Sequence, residues 1–216
     1  MPSHSIFETP NPAKNEIRQL KLLPGKAADP IECALRVVSL DESPRFHALS
    51  YVWGDPKDTR GIFVDGQQYD VTGNLEAALC ALRRRRGRKI LWADAVCINQ
   101  HDTDEKDTQV PQMWKIYSQA SRVLVWLGEP SDATRAAISY LNRYRRARPF
   151  LRHMKRRTLP WFDTAAQENE LRRMAWGYAK IFAHPYWSRM WTFQEFRIPN
   201  AAPLLVRRAS VFLVIF

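Results

Sequence analysis

With 216 residues, 45% of them hydrophobic, the chain can bury one sizeable core but hardly two full domains. Its 33 Lys and Arg against 22 Asp and Glu give a formal charge of +11, which directs attention to anionic partners. Cys33, Cys80 and Cys97 lie far apart, odd in number and without CxxC spacing, which indicates neither a zinc site nor a disulfide framework and reads as a reduced, intracellular chain. No apolar run approaches the roughly 20 residues that a bilayer span needs, so no membrane span is expected.

Residues 1–15 carry Pro2, Pro10 and Pro12 without an apolar stretch of signal-peptide length, and read as a flexible leader. Residues 17–23 form a predicted first strand that stops at Pro24-Gly25, and residues 31–40 a second. A third, over 46–52, ends at Gly54-Asp55-Pro56. The runs 62–64 and 68–71 flank Asp65-Gly66, a pair that tolerates positive φ and predicts a tight hairpin. From Asn74, the expected N-cap, Leu75, Ala78, Leu79 and Leu82 recur at helical spacing, so a helix is expected to end near Gly87. Residues 89–93 are again a strand. Asp102 followed by Glu105 signals a helix start, and Val110, Met113, Ile116, Tyr117 and Ala120 extend one apolar stripe in which Pro111 should mark a kink. Residues 123–127 are continuously apolar, as in a strand buried on both faces. Helical patterns follow at 131–147 and 168–182, and a last helix is expected over 185–196. This alternation predicts an α/β domain with a central, mainly parallel sheet flanked by helices, an antiparallel hairpin and a helical insertion.

Polar residues gather where two of these strands end. Ser50, Tyr51, Trp53, Gly54 and Asp55 close one strand, and Asp94, Asn99 and Gln100 close another. If the strands are parallel neighbours, both loops open on one edge of the sheet and form a cleft in which Trp53 or Tyr51 can stack on a ring. The alternative makes Trp53 and Trp92 core residues, with Asp55, Asp94 and Asn99 in turn and cap hydrogen bonds, and each residue taken singly favours it. On the last predicted helix Trp187, Trp191 and Glu195 share a face, so Glu195 is either a partly desolvated carboxylate or a surface partner of Arg189 or Arg197. His4, His47, His101, His153 and His184 show no metal-ligand spacing, and neither a GxGxxG nor a phosphate-binding loop occurs. The charge concentrates at 83–89 and 143–157. Such clusters suit nucleic acid, an anionic lipid surface or an import receptor, whereas arginines at a helix end merely complement its dipole. Nucleic acid is the less favoured reading because no recognised binding module surrounds them.

Five blocks occur in order: ALSYVWGD at 48–55, LWADAVCINQ at 91–100, QVPQMWKIYSQA at 109–120, VLVWLG at 123–128 and WSRMWTFQE at 187–195. Together they resemble the heterokaryon incompatibility (HET) domain of fungal proteins. The resemblance covers 16–205 and leaves 206–216 as an atypical tail that reads as truncated. It implies an effector of self/non-self recognition, akin to innate immunity, that promotes programmed cell death. The implied partners are a second copy or another incompatibility protein, and the implied compartment is the cytoplasm, with the nucleus left open by the arginine clusters. HET domains also look like distant relatives of TIR domains, which have a flavodoxin-like sheet and some of which hydrolyse NAD through a Glu. That likeness assigns catalysis to Glu195 and binding of NAD, as substrate rather than resident cofactor, to Ser50, Tyr51, Trp53, Gly54, Asp55, Asp94, Asn99, Gln100, Arg189 and Trp191. It requires the strands at 89–93 and 123–127 to be neighbours in one sheet. The TIR motif's Cys is absent here, and a helical insertion at 131–182 intervenes. A non-catalytic, self-associating interaction module remains the alternative.

Overall fold

The computed structural model describes residues 6–129, 131–139, 165–188, 204–207 and 210–215. The chain divides into two compact units, Met1–Gly128 with Arg189–Phe216, and Glu129–Ser188. The strands of the first unit are β1 (Glu16–Leu22), β2 (Glu32–Ser39), β3 (His47–Tyr51), β4 (Thr59–Val64), β5 (Gln67–Thr72), β6 (Lys89–Trp92), β7 (Arg122–Trp126), β8 (Leu204–Arg207) and β9 (Ser210–Ile215). They form one sheet in the order β5-β4-β2-β1-β6-β3-β7-β9-β8.

The sheet is mixed, which corrects the expectation of a mainly parallel one. Only β2–β4, β6–β3 and β3–β7 pair parallel, and the other pairs are antiparallel. Connection length is the physical reason for β1–β2, β4–β5 and β8–β9, because a short link returns a strand antiparallel whereas a parallel partner needs a crossover. Asp65 and Gly66, at φ 48° and 79°, make the expected tight turn between β4 and β5. The expected adjacency of the strands at 89–93 and 123–127 is also corrected, since β3 lies between β6 and β7. β9 pairs with β7 on one side and β8 on the other.

The parallel triplet β6-β3-β7 is the buried centre. In register, Ala48 lies opposite Trp92 and Val123, and Tyr51 opposite Trp126, so Trp92 and Trp126 project to opposite faces. Trp92 meets Tyr117 of α4 (Met113–Gln119) edge-on at 5.6 Å, while Trp126 Nε1 donates to Asn74 Oδ1 of α1 (Gly73–Leu82) at 2.8 Å. Helices therefore cover both faces, which explains why Val123 to Trp126 is an unbroken buried run.

α1 buries Leu75, Ala78, Leu79 and Leu82 as the spacing predicts. Two details differ: Thr72, not Asn74, caps the helix by accepting from the Leu75 N–H, and the helix stops at Leu82 rather than near Gly87. Arg83 turns extended there, and its guanidinium donates to the carbonyls of Lys26, Asp29 and Pro30. α2 (Asp94–Cys97) is a single turn. α3 (Thr103–Gln109) starts at the expected Asp102 cap, and Pro111 sits in a 3-10 turn that separates it from α4.

In the second unit, residues 132–139 are helical and form α5, and α6 spans Ala165–Phe182. Gly177 of α6 packs on the backbone of Ala133, and Tyr178 donates its hydroxyl to the Ala137 carbonyl at 3.2 Å. Of the helix expected over 185–196, Pro185–Ser188 is a 3-10 turn and the remainder lies outside the described residues, as does the basic run at 143–157.

His47, at the start of β3, titrates low, at about 4, because burial and the charges of Lys89, Arg122 and Arg84 all oppose the imidazolium. Unfolded, the same ring titrates near 6.5. Between these values the unfolded chain binds the extra proton, so stability present above about pH 6.5 is lost as the pH falls toward about 4. His47→Gln is expected to flatten that part of the stability profile in urea titrations. An unchanged acid limb would refute this assignment.

Candidate functional site

Because β3 and β6 are parallel neighbours, the segments leaving them open on the same edge of the sheet, as the cleft reading required. There Trp53 Nε1 donates to Asp94 Oδ2 at 2.8 Å. Trp53 is 42% exposed and Asp94 only 9%. A mostly buried carboxylate is thus steered by an indole that leaves part of its ring in solvent. Gly54 turns the chain at φ 85°, a left-handed conformation that a side chain would strain. Behind it Asn74 donates to the Val52 carbonyl at 2.5 Å and accepts from Trp126, so the turn after β3 is tied to both α1 and β7.

The other candidates divide by what they touch. Ser50 and Tyr51 are buried within β3, so only Trp53, Gly54 and Asp55 of that block reach the surface. Asp55 accepts from the Lys57 N–H at 2.9 Å, and Asn99 from the His101 N–H at 3.1 Å. Gln100 donates to the carbonyls of Asp94 and Ile98. These three spend polar groups on local backbone, as the turn-and-cap alternative expects. Arg189, Trp191 and Glu195 lie outside the described residues. A surface depression of about 490 Å³ lined by Asp58, Arg60, Gly61, Gly73, Glu76 and Ala77 contains none of the candidates.

Under the 94–100 segment lies a buried ion pair that the sequence reading missed. Arg18 of β1, 1% exposed, donates from both terminal nitrogens to Glu105, at 2.5 and 2.8 Å. It also reaches the Cys97 carbonyl at 3.1 Å and, through Nε, the Glu8 carbonyl at 2.8 Å. Glu105 accepts in turn from the Asn99 N–H at 2.8 Å. One guanidinium thereby joins the amino-terminal segment, β1, α2 and α3 beneath the loop that carries Asp94. Phe7 adds an aromatic contact, with the Arg18 guanidinium 4.9 Å from its ring centre and Tyr69 meeting it edge-on at 5.8 Å. The available signal was weak, because Glu16, Gln19 and Lys21 share β1 with Arg18, and Glu105 already had an assignment in a capping sequence.

The chemistry open to this loop is constrained by burial. Cys97 is pushed up to about 12 by burial, outweighing the Ala93 N–H that bonds its sulfur. It is a protonated core thiol rather than a nucleophile. Burial likewise raises the Tyr69 hydroxyl, which donates to the Ala95 carbonyl at 3.1 Å. Among the described residues no His, Cys, Asp or Glu cluster could hold a metal ion, and no helix is long and apolar enough to cross a membrane.

A family model described as "Heterokaryon incompatibility protein (HET)" matches residues 46–195, a span that contains every candidate residue. The chain is 38% identical over 130 residues to "Heterokaryon incompatibility protein 6, OR allele" of Neurospora crassa, covering 54% of this chain and 19% of that protein. It is 28% identical over 97 residues to "Vegetative incompatibility protein HET-E-1" of Podospora anserina, covering 44% of this chain and 7% of that protein. The matched regions thus span about a fifth or less of either relative. No solved structure matches the chain.

Proposed function

The chain belongs to the heterokaryon incompatibility family of fungal proteins, and from that premise we propose that it is an effector of self/non-self recognition that promotes cell death by cleaving NAD. The observation that carries this reading is the Trp53–Asp94 pair at the carboxyl ends of two adjacent parallel strands. Strand order adds support. Taken in chain order, β3, β6 and β7 lie as 2-1-3, the arrangement with which flavodoxin-like sheets begin, and ligands sit at the carboxyl edge of such sheets. In that order the second and third strands flank the first, so β6 and β7 each pair with β3 and not with one another.

Cleavage of the nicotinamide glycosidic bond passes through an oxocarbenium-like state, and the leaving group departs without protonation because it already carries positive charge. One ionised carboxylate that stabilises the cation and orients water is sufficient, and Glu195 is assigned that role. The exposed part of Trp53 would stack on the nicotinamide or adenine ring. Glu195→Gln keeps size and hydrogen bonding while deleting the charge, so nicotinamide release from NAD by the purified chain should fall at least about a hundredfold. Equal release from both proteins, or none from the wild type, would remove the catalytic claim.

A non-catalytic interaction module is the second reading. It is favoured by the commitment of Asp55, Asn99 and Gln100 to backbone hydrogen bonds. It predicts that inducible expression in a fungal host is toxic with Glu195→Gln as much as with the wild type.

A further inference from the structure

The arginine run at 83–89 proves to be two different things. Arg83 is a strut: its guanidinium is held by the carbonyls of Lys26, Asp29 and Pro30, and its side chain packs on Gly25, where an added Cβ would come within 3.1 Å. Arg84, Arg85, Arg86 and Arg88 lie beyond the end of α1, all exposed. Among the described residues their side chains make no ion pair. A helix-dipole role accounts for none of these four, because the helix has ended and the chain has turned away before they begin.

Four like charges in five consecutive residues repel one another, and among the described residues no carboxylate pairs with them. The loop is also held in place. The Arg84 carbonyl accepts from the Gly25 N–H at 3.0 Å, Gly87 bends the chain at φ 78°, and β6 begins at Lys89. The field extends onto the sheet, where Lys89 and Arg122 flank His47 together with Arg84. This edge is opposite the one that carries Asp94, since Lys89 opens β6 and Asp94 follows its end.

We propose that the 84–88 loop is a docking surface for the sugar-phosphate backbone of double-stranded nucleic acid, independent of base sequence. Guanidinium forks match phosphate oxygens in geometry as well as charge. The loop is bent at Gly87 and tied to Gly25 through the Arg84 carbonyl, whereas a receptor that reads a basic stretch as an extended peptide needs a straight one. Single strands are disfavoured because stacking requires exposed aromatic rings, and among the described residues the exposed large apolar ones are Trp53, Phe63, Trp114, Trp176 and Phe182, none within the loop. The same lack of an apolar wedge disfavours a lipid surface, where charge is usually joined by buried apolar area.

The test uses the purified full chain and a fluorescein-labelled DNA duplex of arbitrary sequence. Neutralising about four phosphates gives a log–log salt slope of about −3.6, so affinity should fall about 150-fold between about 50 and about 200 mM salt. Replacing Arg84, Arg85, Arg86 and Arg88 together by Ala, with Arg83 kept, should make that slope shallower by about 3.6 at unchanged thermal stability, and replacement of the four by Lys should retain most of it. Equal binding by the Ala variant, or no duplex affinity at about 50 mM salt, would overturn the proposal. Binding confined to phosphatidylserine vesicles would overturn it in favour of a lipid surface. None of these outcomes depends on whether the chain cleaves NAD.

Discussion

Glu105→Ala is expected to lower the unfolding free energy by about 3–5 kcal/mol, as when one partner of a buried ion pair is removed. Arg18 is 1% exposed, so water cannot replace the lost carboxylate. The Cys97 and Glu8 carbonyls that remain offer only dipoles against a full charge. The Asn99 N–H loses its acceptor as well, so amide exchange should quicken through 94–102, the loop that carries Asp94. Replacing both partners at once, Arg18→Met with Glu105→Leu, should recover much of the loss, because a buried pair is costly to break yet often no better than apolar packing. Urea denaturation of the single and double variants checks this. A single-variant loss below about 1 kcal/mol would mean that the pair behaves as an exposed one.

Gly177→Ala is expected to destabilise the second unit by about 2 kcal/mol, the middle of the range for overpacking. In a helix interior the same change is ordinarily favourable by about 1 kcal/mol, so the sign depends on packing alone. An added Cβ would stand 2.1 Å from the Ala133 carbonyl oxygen and 2.8 Å from Ala137 Cβ. The carbonyl belongs to helical backbone, which cannot swing aside as a side-chain tip can, so α5 and α6 must separate. Their other contacts, including the bond from the Tyr178 hydroxyl to the Ala137 carbonyl, weaken in consequence. Limited proteolysis should then cut within 129–188 sooner than in the wild type, with fragments of the first unit unchanged. Unaltered or slower cleavage would show that the helices accommodate the methyl group.

How far the sequence could be read depended on the range of each interaction. The hairpin at Asp65-Gly66, the Asp102 cap, the break at Pro111 and the apolar stripe of α1 were all legible, because turn chemistry and helical periodicity are set by residues within a few positions of one another. The five motif blocks likewise identified the family without any knowledge of geometry. The Asn74 error shows where local reasoning stops. Asn is a good cap in isolation, but the tertiary structure uses the Asn74 amide to join Val52, 22 residues before it, to Trp126, 52 residues after it, and leaves the capping to Thr72.

By itself, the sequence determined the strands β1 to β7 in outline, the hairpin turn, the apolar face of α1, the starts of α1 and α3 to within a residue or two, and the family to which the chain belongs. The tertiary structure alone decided that β3 lies between β6 and β7, that most of the other strand pairs are antiparallel, that Arg83 braces a loop while the next arginines face solvent, and that Arg18 meets Glu105 across 87 residues of chain. The reason is physical. A strand's hydrogen-bonding edges accept many partners of similar local quality, and a buried charge is tolerated only where the closed fold delivers its counter-charge, so both are selected by the packing of the whole domain rather than by neighbours in sequence.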